Sequence, residues 1–105
     1  MLGNIELLGI GLQNHIPIQI VDERNRIRMI GAGITIEKEK QFGKFVSLIP
    51  YTNIVKGLTL TGFKYPLDHY DFRGFCSLGV SNEIIAESAQ ITFEDGILIV
   101  IEARD

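Results

Sequence analysis

Apolar residues recur along this 105-residue chain in two different rhythms. Over residues 2–12 they fall at Leu2, Ile5, Leu8 and Leu12, a helical spacing, with Leu7 and Ile10 apolar on the other side. Gly3, Gly9 and Gly11 each cost such a helix about 1 kcal/mol relative to alanine, so one short helix is expected here, buried between layers of something larger. After Asn14 the period shortens to two. Ile16, Ile18 and Ile20 alternate with Pro17 and Gln19, Arg24-Asn25 turns the chain, and Ile27 and Met29 alternate with Arg26 and Arg28, which predicts a hairpin. Gly31-Ala32-Gly33 breaks the pattern before Ile34 and Ile36 resume it. The run Glu37-Lys38-Glu39-Lys40 is expected to be a solvated strand end or loop.

Further strands are predicted over residues 45–49, closed by Pro50, and over 58–65. In the second, Leu58 and Leu60 point to one face and Thr59, Thr61, Phe63 and Tyr65 to the other. Pro66 has no amide hydrogen for a neighbouring strand and ends the ladder, and the segment after it is polar and turn-rich. Ala89, Ile91 and Phe93 then alternate with Gln90, Thr92 and Glu94. Asp95-Gly96 predicts a hairpin to residues 97–101, because both central residues of a type I′ turn need positive φ. Leu98 and Val100 make that last strand apolar on both faces, so it is central in a sandwich or lies at a subunit contact. About eight short strands after one helix predict an all-β fold, an antiparallel β-sandwich or jelly-roll.

Composition narrows the chemistry. A net charge of −3 supplies no electrostatic footprint for nucleic acid or an anionic membrane. The single cysteine, Cys76, cannot form an internal disulfide, no run approaches the ~20 apolar residues that span a bilayer, and the opening residues lack the features of a signal peptide. A cytoplasmic setting is expected. Gly9-Ile10-Gly11 lacks the third glycine and preceding strand of a dinucleotide loop. His15 and His69 lie far apart with no His-x-His, which gives no support to a metal-binding barrel. The serines lack a nucleophile elbow, and Asp68, Asp71, Glu83 and Glu87 fit turn and rim roles better than an acid–base pair. The residue pattern alone reaches a β domain with a polar-aromatic binding corner. A strand of threonines and aromatics ending in Lys64-Tyr65-Pro66-Leu67, followed by Gly79-Val80-Ser81-Asn82, suits recognition of a flat polar ring.

Three ordered motifs add a resemblance. Gly57-Leu58-Thr59-Leu60-Thr61-Gly62-Phe63-Lys64-Tyr65-Pro66-Leu67, then Ser77-Leu78-Gly79-Val80-Ser81-Asn82-Glu83, and the tail Phe93-Glu94-Asp95-Gly96-Ile97-Leu98-Ile99-Val100-Ile101-Glu102 resemble the bacterial thiamine pyrophosphokinases. The resemblance covers the chain from about Ile16 onward. It implies a two-domain homodimer that moves the terminal diphosphate of ATP onto thiamine, giving thiamine diphosphate and AMP. ATP and Mg2+ would be bound mainly by an N-terminal α/β domain. This chain would be the C-terminal part: residues 1–22 a remnant helix and strand of the nucleotide domain, residues 23–105 the thiamine-binding β-sandwich. No catalytic residue and no metal ligand is expected in it, and by itself it is expected to be inactive.

The resemblance assigns Tyr65 as the aromatic platform for thiamine and Ser81 and Asn82 as pocket residues, with Gly79 letting the backbone approach the ligand. Simpler roles stay open. Tyr65 would then pack at a strand end, Ser81-Asn82 would cap the next segment, and Lys64 would face either a phosphate or solvent. The competing class is a non-catalytic β-sandwich that binds a small ligand or only dimerises.

Overall fold

The structure, a computed structural model, describes residues 19–73 and 81–104. The predicted opening helix, Cys76 and Gly79 lie outside the described residues. Nine strands form within them: β1 (Gln19–Val21), β2 (Asn25–Ile30), β3 (Ile34–Glu37), β4 (Phe45–Pro50), β5 (Ile54–Thr61), β6 (Leu67–Arg73), β7 (Asn82–Glu83), β8 (Ser88–Thr92) and β9 (Leu98–Ala103). They build a five-stranded sheet in the order β1-β2-β9-β4-β7 and a four-stranded sheet in the order β3-β8-β5-β6, every described pairing antiparallel. The expected antiparallel sandwich is the fold.

Alternation explains how the layers meet. Ile30, Val46, Leu48, Leu98 and Val100 from the five-stranded sheet join Ile36, Val55, Leu58, Leu60, Phe72, Ala89 and Ile91 from the other in one buried cluster. Each such side chain contributes about 1.5–3 kcal/mol by leaving water. The opposite face of the four-stranded sheet is polar, with Thr35, Thr61, Gln90 and Thr92 exposed. β9, the middle strand of its sheet, is apolar on both faces, with Leu98 and Val100 in the inner cluster. Ile99 turns away from Val100 to join Ile27 and Met29 in a second cluster, flanked by Ile20, Ile49, Ile97 and Ile101.

The predicted first hairpin forms with Ile20 opposite Ile27. Its turn is fixed by Asp22, whose carboxylate accepts the backbone N–H groups of Arg24 and Asn25 at 2.8 and 2.7 Å. Those two bonds hold the Asp22 pKa below the ordinary carboxylate range. Residues 19–21, inside the stretch assigned to an upstream domain, are thus an edge strand of the five-stranded sheet.

Three local expectations are corrected. Asp95-Gly96 does not join a hairpin: β8 lies in the four-stranded sheet and β9 in the five-stranded one, so the turn carries the chain across the sandwich. Gly96 does adopt positive φ (111°), and Asp95 bridges to Lys56 rather than to β9. Residues 67–73, expected as a turn-rich segment, form edge strand β6; only Phe72 of its side chains is buried, so its sequence carries no alternation. Finally, Phe63 does not share a face with Thr59 and Thr61. β5 stops at Thr61, Gly62 takes φ +79°, and Phe63 turns inward to 2% exposure.

Candidate functional site

The inward turn at Gly62 builds the corner that matters. Beyond β5 the chain runs alongside residues 82–86: Phe63 bridges Ile84, the Lys64 N–H donates to the Glu83 carbonyl at 2.8 Å, and the Ile85 N–H donates to the Gly62 carbonyl at 2.9 Å. Since β5 and β7 belong to different sheets, this short ladder stitches the layers at one edge of the sandwich. A Cβ on Gly62 would stand 2.4 Å from the Ser88 carbonyl oxygen, in a backbone conformation that L side chains rarely adopt. Gly62→Ala is therefore expected to destabilise the protein by about 2 kcal/mol, read as a lowered urea midpoint with unchanged slope. An unchanged midpoint would mean that the corner yields freely.

Asn82 locks the corner. It is 2% exposed. Its Oδ1 accepts the N–H of Tyr65 and of Glu83, each at 3.0 Å, and its Nδ2 donates to the Tyr65 carbonyl at 2.8 Å. Both backbone polar groups of Tyr65 are thereby held by one side chain from β7, and the Tyr65 side chain is left 53% exposed. Asn82 sits in a strand rather than capping the next segment. Ser81 lies exposed beside it at φ +54°, its N–H donating to Ser47 Oγ at 2.9 Å. The structure therefore brings Tyr65, Ser81 and Asn82 to one corner. An open cleft lined by Glu37, Lys38, Glu39, Glu87 and Ser88 includes none of them.

Charge gathers at the same place. Glu83 pairs with Lys44 through Oε1 at 3.4 Å and with Lys64 through Oε2 at 3.5 Å. The Lys64 ammonium stands 5.5 Å from the Tyr65 ring centroid. The Tyr65 phenol first, then Glu83, raise the Lys64 pKa above the ordinary lysine value. Sequence reasoning singled out neither Lys44 nor Ser47. Lys44 carried no local signal, because its place beside Glu83 comes from the pairing of Phe45 with Glu83. Among the described residues no three His, Cys, Asp or Glu side chains converge to hold a metal ion, and no helix is long and apolar enough to cross a membrane.

The described residues thus form a two-layer antiparallel β-sandwich domain with an exposed aromatic held at its stitched edge. Residues 33–98 match the family described as thiamin pyrophosphokinase, vitamin B1 binding domain, and the chain belongs to that family. It is 40% identical over 105 residues to the thiamine pyrophosphokinase of Bacillus subtilis, covering 99% of this chain and 49% of that protein. The crystal structure of thiamine pyrophosphokinase from B. subtilis superposes with a TM-score of 0.92 at 39% identity, covering 99% of this chain and 49% of that one. The Geobacillus thermodenitrificans thiamin pyrophosphokinase gives 0.87 at 36% identity, covering 99% and 47%. The chain thus spans about half the length of these relatives.

Proposed function

We propose that this chain is the thiamine-binding part of a thiamine pyrophosphokinase, which transfers diphosphate from ATP to thiamine and releases AMP. The observation that carries this reading is the exposed Tyr65 ring, its backbone clamped by Asn82, inside the span that matches a vitamin B1 binding domain. A phenol face suits a flat aminopyrimidine and, beside a cationic ring, contributes about 0.5–2 kcal/mol. Ser81 Oγ serves as donor or acceptor to a ring substituent. Asn82 Nδ2 makes one hydrogen bond among the described residues, to the Tyr65 carbonyl, and its burial assigns it chiefly to holding Tyr65 in place. Gly79 enters the proposal as the point where backbone approaches the ligand.

Phosphoryl-group transfer of this kind depends on in-line positioning and on charge neutralisation by metal ions. In this reading ATP and Mg2+ are bound mainly by residues outside this chain, which spans about half the length of its relatives. This chain's part in the reaction is to orient thiamine so that its hydroxyethyl oxygen faces the phosphate chain. A homodimer and a cytoplasmic setting complete the reading; sedimentation of the purified chain tests the dimer.

Calorimetric titration with thiamine tests the binding itself. Tyr65→Ala is expected to weaken thiamine binding about three- to thirtyfold without changing the urea midpoint, because the ring is half exposed. Equal affinity in the two proteins would remove Tyr65 from the site. A sandwich that dimerises yet binds no thiamine would point instead to a purely structural module.

A further inference from the structure

The five-stranded sheet is apolar on the side turned away from the sandwich interior. Ile27 and Met29 of β2 and Ile99 of β9 meet there, with Ile20, Ile49 and Ile101 packed beside them. The first three are only 4%, 7% and 5% exposed. Side chains of one sheet stand side by side, perpendicular to it, and leave one another's tips to water. Burial to that degree therefore requires a layer above. The other outer face of the same molecule shows the uncovered case, with Thr35, Thr61, Gln90 and Thr92 all exposed.

The chain has a segment suited to that layer. β1 is the edge strand next to β2, and Ile20 stands opposite Ile27 on the same face, so residues 1–18 join the sheet one strand away from the buried trio. Leu2, Ile5, Leu8 and Leu12 fall at helical spacing, with Leu7 and Ile10 apolar as well. A helix over residues 2–12 would be about 16 Å long. The four strands from β1 to β4 span about 15 Å. Residues 13–18 reach up to about 20 Å when extended, enough to fold that helix back over the sheet. We propose that residues 1–12 lie across the outer face of the five-stranded sheet and cover Ile27, Met29 and Ile99. The inference rests on the fold and the sequence, not on the thiamine reading. The segment then serves the sandwich itself, and it takes this face away from any contact between copies. It joins the sheet at the edge farthest from β7 and Asn82, so the Tyr65 corner is left clear.

The test uses the full chain with a nitroxide spin label attached at Glu6→Cys in a Cys76→Ser background, and isotope-labelled methyl groups on isoleucine and methionine. The methyl signals of Ile27, Met29 and Ile99 are expected to be broadened by the label, while that of Ile85, exposed at the stitched edge, persists. A mixed sample, with the spin label on one copy and the isotope on the other, is expected to show no broadening. Sharp signals from the trio would overturn the proposal, and broadening in the mixed sample would give the face to a second copy. A double-mutant cycle decides the same point without a label. Ile5→Ala/Leu8→Ala and Met29→Ala should each lower the urea midpoint, and the combined variant should lose clearly less than the sum of the two, because residues in contact do not contribute independently. Midpoint losses that add in full would overturn the contact.

Discussion

Replacing Glu102 with alanine is expected to cost about 3 kcal/mol of stability, the largest loss from any single polar side chain among the described residues. Glu102 is fully buried on the inner face of β9, with Arg26 opposite it on β2 and Val46 opposite on β4. Arg26 Nε donates to Glu102 Oε2 at 2.7 Å, and Arg28 lies 3.4 Å from the same oxygen. Burial lowers the Arg28 pKa and the Glu102 charge opposes that effect, so the carboxylate is what makes two guanidinium groups tolerable there. Removing it leaves like charges facing each other over an apolar floor. The two arginine side chains remain about a quarter exposed, at 23% and 26%, and their partial access to water keeps the cost at the low end for a broken buried pair. Oε1 has no hydrogen-bond partner among the described residues, which further limits what the pair contributes. Glu102→Gln keeps the shape and one accepting oxygen and should cost about half as much. Urea unfolding reads both: the midpoint of Glu102→Ala should fall by about 2 M with little change in slope. A loss below about 1 kcal/mol would show that the arginines reach water without it.

Strand existence was legible wherever one face of a strand meets the core. β2, β3 and β8 each carry an apolar residue at every second position and form where the alternation predicted them, and β4 forms over the expected residues 45–49 and takes in Pro50 as well. β6 was illegible for the converse reason. An edge strand with one buried side chain has no pattern to display, and its pairing with β5 is broken by register shifts. The Asp95-Gly96 turn shows a different gap. Local turn chemistry specifies positive φ, but whether the flanking strands pair or part is decided by partners distant in sequence: β5 and β3 draw β8 to one layer, while β2 and β4 draw β9 to the other.

The site divides in the same way. Tyr65, Ser81 and Asn82 were reachable through motif resemblance, and their shared corner follows from the ladder between residues 62–65 and 82–86. What Asn82 does there was not. An asparagine beside a predicted pocket reads as a ligand contact, and only the three-dimensional pairing reveals that its amide is engaged by the Tyr65 backbone. Glu83 likewise read as a rim carboxylate, with nothing in the sequence to set Lys44 against it.

Asn82→Ala should therefore act on stability and on binding together. The substitution strips partners from the Tyr65 N–H, the Tyr65 carbonyl and the Glu83 N–H, three backbone groups at a part-buried corner. An unsatisfied buried group costs about 1–3 kcal/mol, but Tyr65 lies at the rim where water reaches it after a small opening, so the expected total is about 2–3 kcal/mol. Asn82→Asp keeps the accepting oxygen and loses the donor, and should retain part of the stability. Hydrogen exchange separates local from global effects. The amides of Tyr65 and Glu83 should exchange faster by more than the global loss accounts for, while those of β9 should follow the global loss alone. Thiamine affinity should fall with the loosening of Tyr65, and less in Asn82→Asp than in Asn82→Ala. If Asn82→Ala instead abolishes thiamine binding at unchanged stability and unchanged exchange at Tyr65, the amide contacts the ligand directly and the clamp is the wrong account. If stability falls but thiamine affinity holds, Tyr65 keeps its place without the clamp, and the stitched edge is structural alone.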